Sequence, residues 1–210
     1  GHAFSAFDMR VLSTISDFAA IAIEKAYYLA EARRLSEFDP LTGALNRRGL
    51  GKIIDRESAR IQRYPGKLSV VVADVDEFKK INDRFGHLAG DGVLIAVAKA
   101  LREAVRSADS VARYGGDEFV VVMPNTGPEE AELARERFIA AIKAAAATST
   151  VPFSVTLGTH SSDKADFNEL FRESDKDLYR RKAGPLEIDK NLLGALAHEA
   201  REKEAGPAKS

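Results

Sequence analysis

The chain of 210 residues carries 31 Lys and Arg against 32 Asp and Glu, a formal charge of -1, with 45% apolar residues, which is the balance of an ordinary soluble globular protein and excludes a disordered or fibrous one. It has no Cys, which excludes disulfides, thiolate metal sites and a Cys nucleophile and fits a reducing, cytoplasmic setting. Balanced charge excludes a global nucleic-acid footprint, and the longest apolar stretches, Phe18 to Ile23 and Leu68 to Ala73 (broken by Ser69), fall far short of the roughly 20 residues of a membrane span. No basic, then apolar, then small-residue export signal opens the chain, and Gly1-His2 reads as a cloning remnant. Three segments are expected: a helix in 1–37, one domain in 38–187 and a polar tail in 188–210.

From Asp8 to Ser36 there is no Pro or Gly, and Leu12, Ile15, Ala19, Ala22, Ala26 and Leu29 recur at alternating spacings of three and four. The spacing predicts a long helix with a coiled-coil-like seam, read either as packed on its own domain or as dimerising and signal-carrying. Asp39-Pro40 marks a boundary, because the residue before Pro leaves helical geometry. A helix is predicted from about Asn46 to Tyr64, stopped by Pro65-Gly66, and a buried strand at Leu68 to Ala73. Asp74 to Gly92 is polar and rich in Gly and Asp, with a helix start at Phe78; helical spacing returns from Val93 to Val105. Val111 to Tyr114 and Phe119 to Met123 are strand-like runs around Gly115-Gly116-Asp117-Glu118, a hairpin signal. Pro128 to Ala147 reads as helix, Phe153 to Gly158 as strand and Asp166 to Lys182 as helix. Gly184-Pro185 ends the core, and the tail from about Leu192 is expected to fray. Alternating elements with one tight hairpin predict an α+β fold: a mixed, mainly antiparallel central sheet covered by helices and preceded by a long N-terminal helix.

The strand Val70-Val71-Val72-Ala73 delivers Asp74 and Asp76, whose side chains share one face. The hairpin supplies Asp117 and Glu118 beside Gly115 and Gly116, which let a ligand approach the backbone closely. If the strands are neighbours, three or four carboxylates converge, and a divalent cation is the usual reason for tolerating such repulsion. Oxygen ligands without Cys or His favour Mg²⁺ or Mn²⁺ over zinc. A cation held by a few carboxylates completes its shell with water and substrate phosphates, which points to a nucleoside triphosphate. Phe78-Lys79-Lys80-Ile81 then offers a helix start and cationic side chains to phosphate oxygens. The alternative is a solvated loop and helix face.

The string RYGGDEF, Arg113 to Phe119, together with DPLTGALNRRG at 39–49 and DVDEFKKINDRFGHLAGDGVL at 74–94, resembles the GGDEF-domain diguanylate cyclases from about Phe38 to Lys182. The resemblance implies the nucleotidyl cyclase, ferredoxin-like palm. It implies that Asp74 and Asp117, with the carbonyl of Val75, ligate two Mg²⁺ or Mn²⁺ ions per half-site, and that Glu118 helps deprotonate the attacking hydroxyl. Asn82 and Asp91 would read guanine. Phe78 would offer its N–H, and Lys79 and Lys182 their ammonium groups, to the triphosphate. Asp76 and His87 match motif positions with structural or supporting roles. The reaction implied condenses two GTP into cyclic di-GMP with release of two pyrophosphates, across a homodimer in which two domains face one another. The N-terminal helix, which also resembles the closing helix of a GAF sensor domain, would set how often the half-sites meet.

Arg106-Ser107-Ala108-Asp109 lies at the offset of the family's inhibitory RxxD motif, so Arg106 and Asp109 are the expected product site for cyclic di-GMP; an Arg can present two donors to guanine. A second such pattern, Arg172 to Asp175, reads as helix surface. Where the family continues its late lysine into a GRN-type stretch, this chain has Ala183-Gly184-Pro185-Leu186, so phosphate affinity is either weaker or supplied by Arg180 or Arg181. Thr156-Leu157-Gly158 replaces the commoner Ser-Ile-Gly with little expected consequence. The alternatives to an enzyme are a degenerate module that binds GTP or cyclic di-GMP and docks to protein partners, and a relaxed enzyme making mixed dinucleotides, against which Asp91 argues. No nucleic acid and no membrane are expected as partners.

Overall fold

A computed structural model describes residues 5–164 and 166–183; the expected tail, with Gly184-Pro185 and Gly1-His2, lies outside the described residues. Helix α1 (Ala6–Glu37) leads into α2 (Arg47–Arg63), β1 (Leu68–Val75), α3 (Phe78–Phe85), α4 (His87–Ala104), β2 (Ser110–Gly115), β3 (Glu118–Pro124), α5 (Pro128–Ala147), β4 (Val155–Ser162) and α6 (Phe167–Lys182). The sheet order is β2-β3-β1-β4, and every strand pair in it is antiparallel. The mixed sheet expected from alternating elements is thus antiparallel throughout, the one parallel pairing among the described residues being an isolated bridge between Leu45 and Ala112.

Strand alternation divides the core into two layers. Val71, Ala73, Phe119, Val121 and Met123 face α4 and α5, meeting Leu94, Val97, Leu101 and Phe138. Val70, Val72, Val120 and Val122 face α2 and α6, meeting Leu50, Leu170 and Leu178. β1 is covered on both faces, which is why Leu68 to Ala73 is a nearly unbroken apolar run;.

Helix α4 begins at His87, six residues before the point where apolar spacing resumes. Gly90 and Gly92 make this stretch read as a loop, yet Gly90 is buried, packed against the Asn82 side chain of α3. Helix α1 does not pack on its own domain: every residue from 9 to 29 is exposed, including Phe7, Phe18, Ile21, Ile23, Tyr27 and Leu29. Its last turn joins the domain, and the joint there is tight. Asn46 caps α2 by accepting from the N–H groups of Arg48 and Gly49, both at 2.9 Å, while its amide donates to the carbonyls of Ser36 and Phe38, both at 3.1 Å;. Buried Glu37 pairs with Lys52 at 2.6 Å. A Cβ on Gly49 would lie 2.2 Å from the Glu37 carbonyl oxygen, so only glycine admits this approach.

Sheet edges are closed differently. Along β2, the Leu45 N–H donates to the Val111 carbonyl at 3.0 Å and the Arg113 N–H to the Leu45 carbonyl at 2.7 Å. Along β4, the Thr159 N–H donates to Asp177 of α6 at 3.0 Å. No described helix is long and apolar enough to cross a membrane.

Candidate active site

The β1–β3 register sets Asp74 directly opposite Glu118, and the β1–β4 register sets it opposite Thr156. Side chains paired across neighbouring strands share a face, so Asp74 and Glu118 emerge together on the α6 side, at the end of the sheet where the hairpin turns. Asp117 sits in that turn, beside Gly116 at φ 47, and its carbonyl accepts from the Val75 N–H at 3.3 Å. β1 and the hairpin are neighbours, as the carboxylate argument required.

The electrostatics of the three acids differ. Burial pushes the Asp117 carboxyl up from its ordinary value, and the Asp74 charge pushes it further, against its own backbone N–H, Lys182 and Arg113. Burial likewise raises Glu118, helped by Asp74, Asp117 and Asp175. Negative charge here is incompletely compensated. Lys182, from the last turn of α6, partly answers it by pairing with Asp74 and lying 4.0 Å from Asp76. No three acids or histidines among the described residues stand close enough to form a ready-made cage. The convergence is looser than expected because Asp76 is engaged elsewhere, accepting from the Ser154 hydroxyl at 2.6 Å and the Thr156 hydroxyl at 2.7 Å. Thr156 thereby performs a hydroxyl's task, which explains why Thr can stand where Ser is commoner.

The site nonetheless suits a divalent cation of the Mg²⁺ type. Two carboxylates and a carbonyl are enough when phosphate oxygens and water complete the shell. The uncompensated field on Asp117 and Glu118, with a lysine ammonium already drawn onto Asp74, is what such an ion would relieve.

Beyond Asp76 the chain passes through Glu77, in the left-handed region at φ 53, a conformation that costs free energy in a non-glycine residue and collects at functional sites. Helix α3 then starts at Phe78 with no side-chain cap, which leaves its first N–H groups open to an anion. Lys79 is exposed on its first turn, Asn82 lies one turn on, and Asp91 is half-buried on α4. The Asn82 side-chain oxygen is buried and has no hydrogen-bond partner, an orphan acceptor that a ligand donor would satisfy. His87 is exposed at the start of α4.

Arg113, not singled out from the sequence as more than part of a motif, holds the turn. Its guanidinium donates to the Gly116 carbonyl at 2.9 and 2.7 Å and pairs with Asp39 at 3.2 Å. Asp39 also accepts from the Thr42 N–H and hydroxyl at 2.9 and 2.7 Å; burial pushes its carboxyl up, but these bonds and Arg113 hold it below its ordinary value. Asp175, read from sequence as helix surface, acts electrostatically on Glu118. At the other end of the hairpin, Asp109 accepts from the Arg106 N–H at 2.9 Å, and the exposed Arg106 guanidinium has no ion-pair partner among the described residues.

The chain is 42% identical over 159 residues to the diguanylate cyclase DgcP of Pseudomonas aeruginosa, covering 74% of this chain and 24% of that one. It is 35% identical over 195 residues to the diguanylate cyclase DosC of Escherichia coli K12, covering 89% and 42%. The chain thus spans between a quarter and a half of these relatives. Among solved structures, the diguanylate cyclase SiaD of Pseudomonas aeruginosa, in complex with its activator SiaC, superposes with TM-score 0.68 at 27% identity over 84% of this chain and 70% of that one. A truncated TpbB (YfiN) of Pseudomonas aeruginosa comprising only the GGDEF domain gives 0.61 at 34% identity, over 70% and 90%. Residues 36–185 match the diguanylate cyclase GGDEF domain, and the chain belongs to that family.

Proposed function

We propose that this chain condenses two molecules of GTP into cyclic di-GMP, releasing two pyrophosphates. The observation that carries the reading is the facing pair Asp74 and Glu118 with Asp117 in the adjoining turn, a negative site raised by burial and mutual repulsion and bordered by an uncapped helix start. Asp74, Asp117 and the Val75 carbonyl would hold two divalent cations per half-site, which when bound supply charge for the attacking and leaving oxygens. Asn82 and Asp91 orient guanine, the first through its unpartnered oxygen, the second by accepting from the base. The N–H of Phe78, the ammonium of Lys79 and that of Lys182 hold phosphate oxygens, while Gly115 and Gly116 leave room for the substrate beside the turn.

In each step the 3′ oxygen of one GTP forms a bond to the α-phosphorus of the other, and the bond from that phosphorus to the bridging oxygen breaks. Pyrophosphate leaves with the electron pair, and the hydroxyl proton passes toward Glu118, whose raised affinity for protons suits it to receive one. One domain holds one GTP in this reading, so two copies meet face to face, brought together by α1. Arg106 and Asp109 bind the product and restrain the enzyme; the unpaired guanidinium supports this.

The test is incubation with GTP and Mg²⁺ and chromatographic resolution of the nucleotides, with Asp117→Asn in parallel. Cyclic di-GMP from the parent and none from the variant is expected. Failure of the parent to form product even with a strong coiled coil fused before Asp39 would overturn the reading in favour of a binding module.

A further inference from the structure

Helix α4 carries two glycines in its first two turns, Gly90 and Gly92, although glycine inside a helix is costly in chain entropy. The two are not equivalent. A Cβ on Gly92 would meet nothing within 4 Å, so no neighbour requires that glycine. A Cβ on Gly90 would lie 2.0 Å from the Asn82 side-chain oxygen, 3.0 Å from the Asn82 Cγ and 3.2 Å from the Cζ of Phe78. Gly90 is buried, and the space that a side chain would take there is filled by two side chains of α3.

These separations make different demands. At 3.2 Å the edge of the Phe78 ring need give way by only a few tenths of an ångström. The amide oxygen cannot stay where it is, because carbon and oxygen in contact stand about 3.3 Å apart or more, so a methyl group on Gly90 would move the Asn82 carboxamide by more than about 1 Å. Helix α3 has little room to yield in its place, since the neighbouring Ile81 is held in the core. No hydrogen bond within the protein fixes the Asn82 oxygen. Its position is set by the shape of the space over Gly90.

We propose that Gly90 is a positioning residue for base recognition: the space left by its missing side chain seats the Asn82 amide, and that seat aims the amide at guanine. The inference rests on the reading of Asn82 as a guanine-binding residue. It adds that discrimination between bases depends on a glycine through the side chain it admits. The dependence is steep, because a hydrogen bond lengthened by about 1 Å is no longer one.

A double-mutant cycle tests this by calorimetry with the α,β-methylene analogues of GTP and ATP in the presence of Mg²⁺, which reads binding without turnover. Gly90→Ala should lower the guanine-to-adenine affinity ratio by about fivefold or more. In the Asn82→Ala background the same substitution should change the ratio by less than about twofold. Gly92→Ala, on the same helix, should leave the ratio unaltered and raise Tm. Removing the amide relieves the clash, so the protein carrying both Asn82→Ala and Gly90→Ala should melt above Gly90→Ala alone; should Gly90→Ala not fold, the double variant should, with the ratio of Asn82→Ala. An unchanged ratio in Gly90→Ala would overturn the assignment. So would a double variant that does not fold, or a further fall in the ratio when Gly90→Ala is added to Asn82→Ala, which would trace the effect to Asp91 or to α4 as a whole. A parental ratio in Asn82→Ala would overturn the reading of Asn82 itself, and the role of Gly90 with it.

Discussion

Asp117, a metal ligand in the proposed reaction, would serve function against stability. An acid whose pKa is raised by folding favours the folded state below its ordinary value, and that contribution is lost as pH rises through the raised value. Burial and Asp74 place Asp117 in this class, so at neutral pH the metal-free protein carries a penalty that Asp117→Asn removes. The expected outcome is a variant whose metal-free Tm is higher by about a degree above pH 6, while its cyclic di-GMP output falls by on the order of a hundredfold or more; thermal melts and the product assay read the two effects separately. Arg106 presents the opposite case, an exposed cation with no structural bond to lose. Arg106→Ala should leave Tm unchanged and abolish calorimetric binding of cyclic di-GMP, and unchanged affinity would remove the product site from the proposal.

Among the elements, α6 depends most on close approach. It lies on β4 where a Cβ on Gly158 would come within 2.2 Å of both the Leu178 nitrogen and the Ser174 carbonyl oxygen, and Ser174 also donates to the Val70 carbonyl at 3.0 Å. Gly158→Ala should therefore lift the helix, costing about 2 kcal/mol in denaturant unfolding and moving Lys182 away from Asp74, with a raised KM for GTP as the functional trace. Much of this architecture is legible in the chain. Alternating or continuous apolar runs mark β1, β2 and β3, and Pro65-Gly66, Asp166 and Pro128 mark helix limits, because these signals are local; of β4 the apolar run from Phe153 to Gly158 gives only the first half, since the strand starts at Val155 and continues through the polar Thr159 to Ser162. The start of α4 is not legible, since Gly90 and Gly92 read as loop until α3 is packed against them. Nor is the Arg113 to Asp39 tie, whose partners are separated by 74 residues, or the place of Asp175, which is set by how α6 crosses the sheet. Carboxylates belonging to one motif could be found from sequence; the groups that position them come from other elements.

At the scale of the molecule, α1 leaves the domain with its apolar side chains in water over most of its length. A helix of 32 residues reaches about 48 Å, and this much exposed apolar surface is stabilised by another protein surface rather than by solvent. Deleting residues 1–37 should yield a monomer by light scattering at concentrations where the full chain is dimeric. Turnover per subunit should then depend steeply on protein concentration, as expected if two half-sites must meet. A strong coiled coil in place of α1 should restore activity at low concentration. Equal turnover with and without α1 at nanomolar protein would contradict its role in assembly.

The Asp177 carboxylate, which takes one outward N–H of β4, that of Thr159, has a consequence for storage and handling. Burial pushes Asp177 upward, but the Thr159 N–H and Arg181 outweigh it and hold the carboxyl below its ordinary value, so its contribution is present above the usual aspartate range and is lost as pH falls through the depressed value. Once protonated it holds Thr159 less firmly, and a less protected strand edge is a template for pairing with another chain. Acidification below the usual aspartate range should therefore bring on turbidity and thioflavin-positive aggregates, and Asp177→Ala should do so at neutral pH. The opposite edge is covered by the Leu45 segment through main-chain bonds, but Asp39, which ties that segment to Arg113, is also held below its ordinary value, so Asp177→Ala at neutral pH is the variant that isolates the β4 edge.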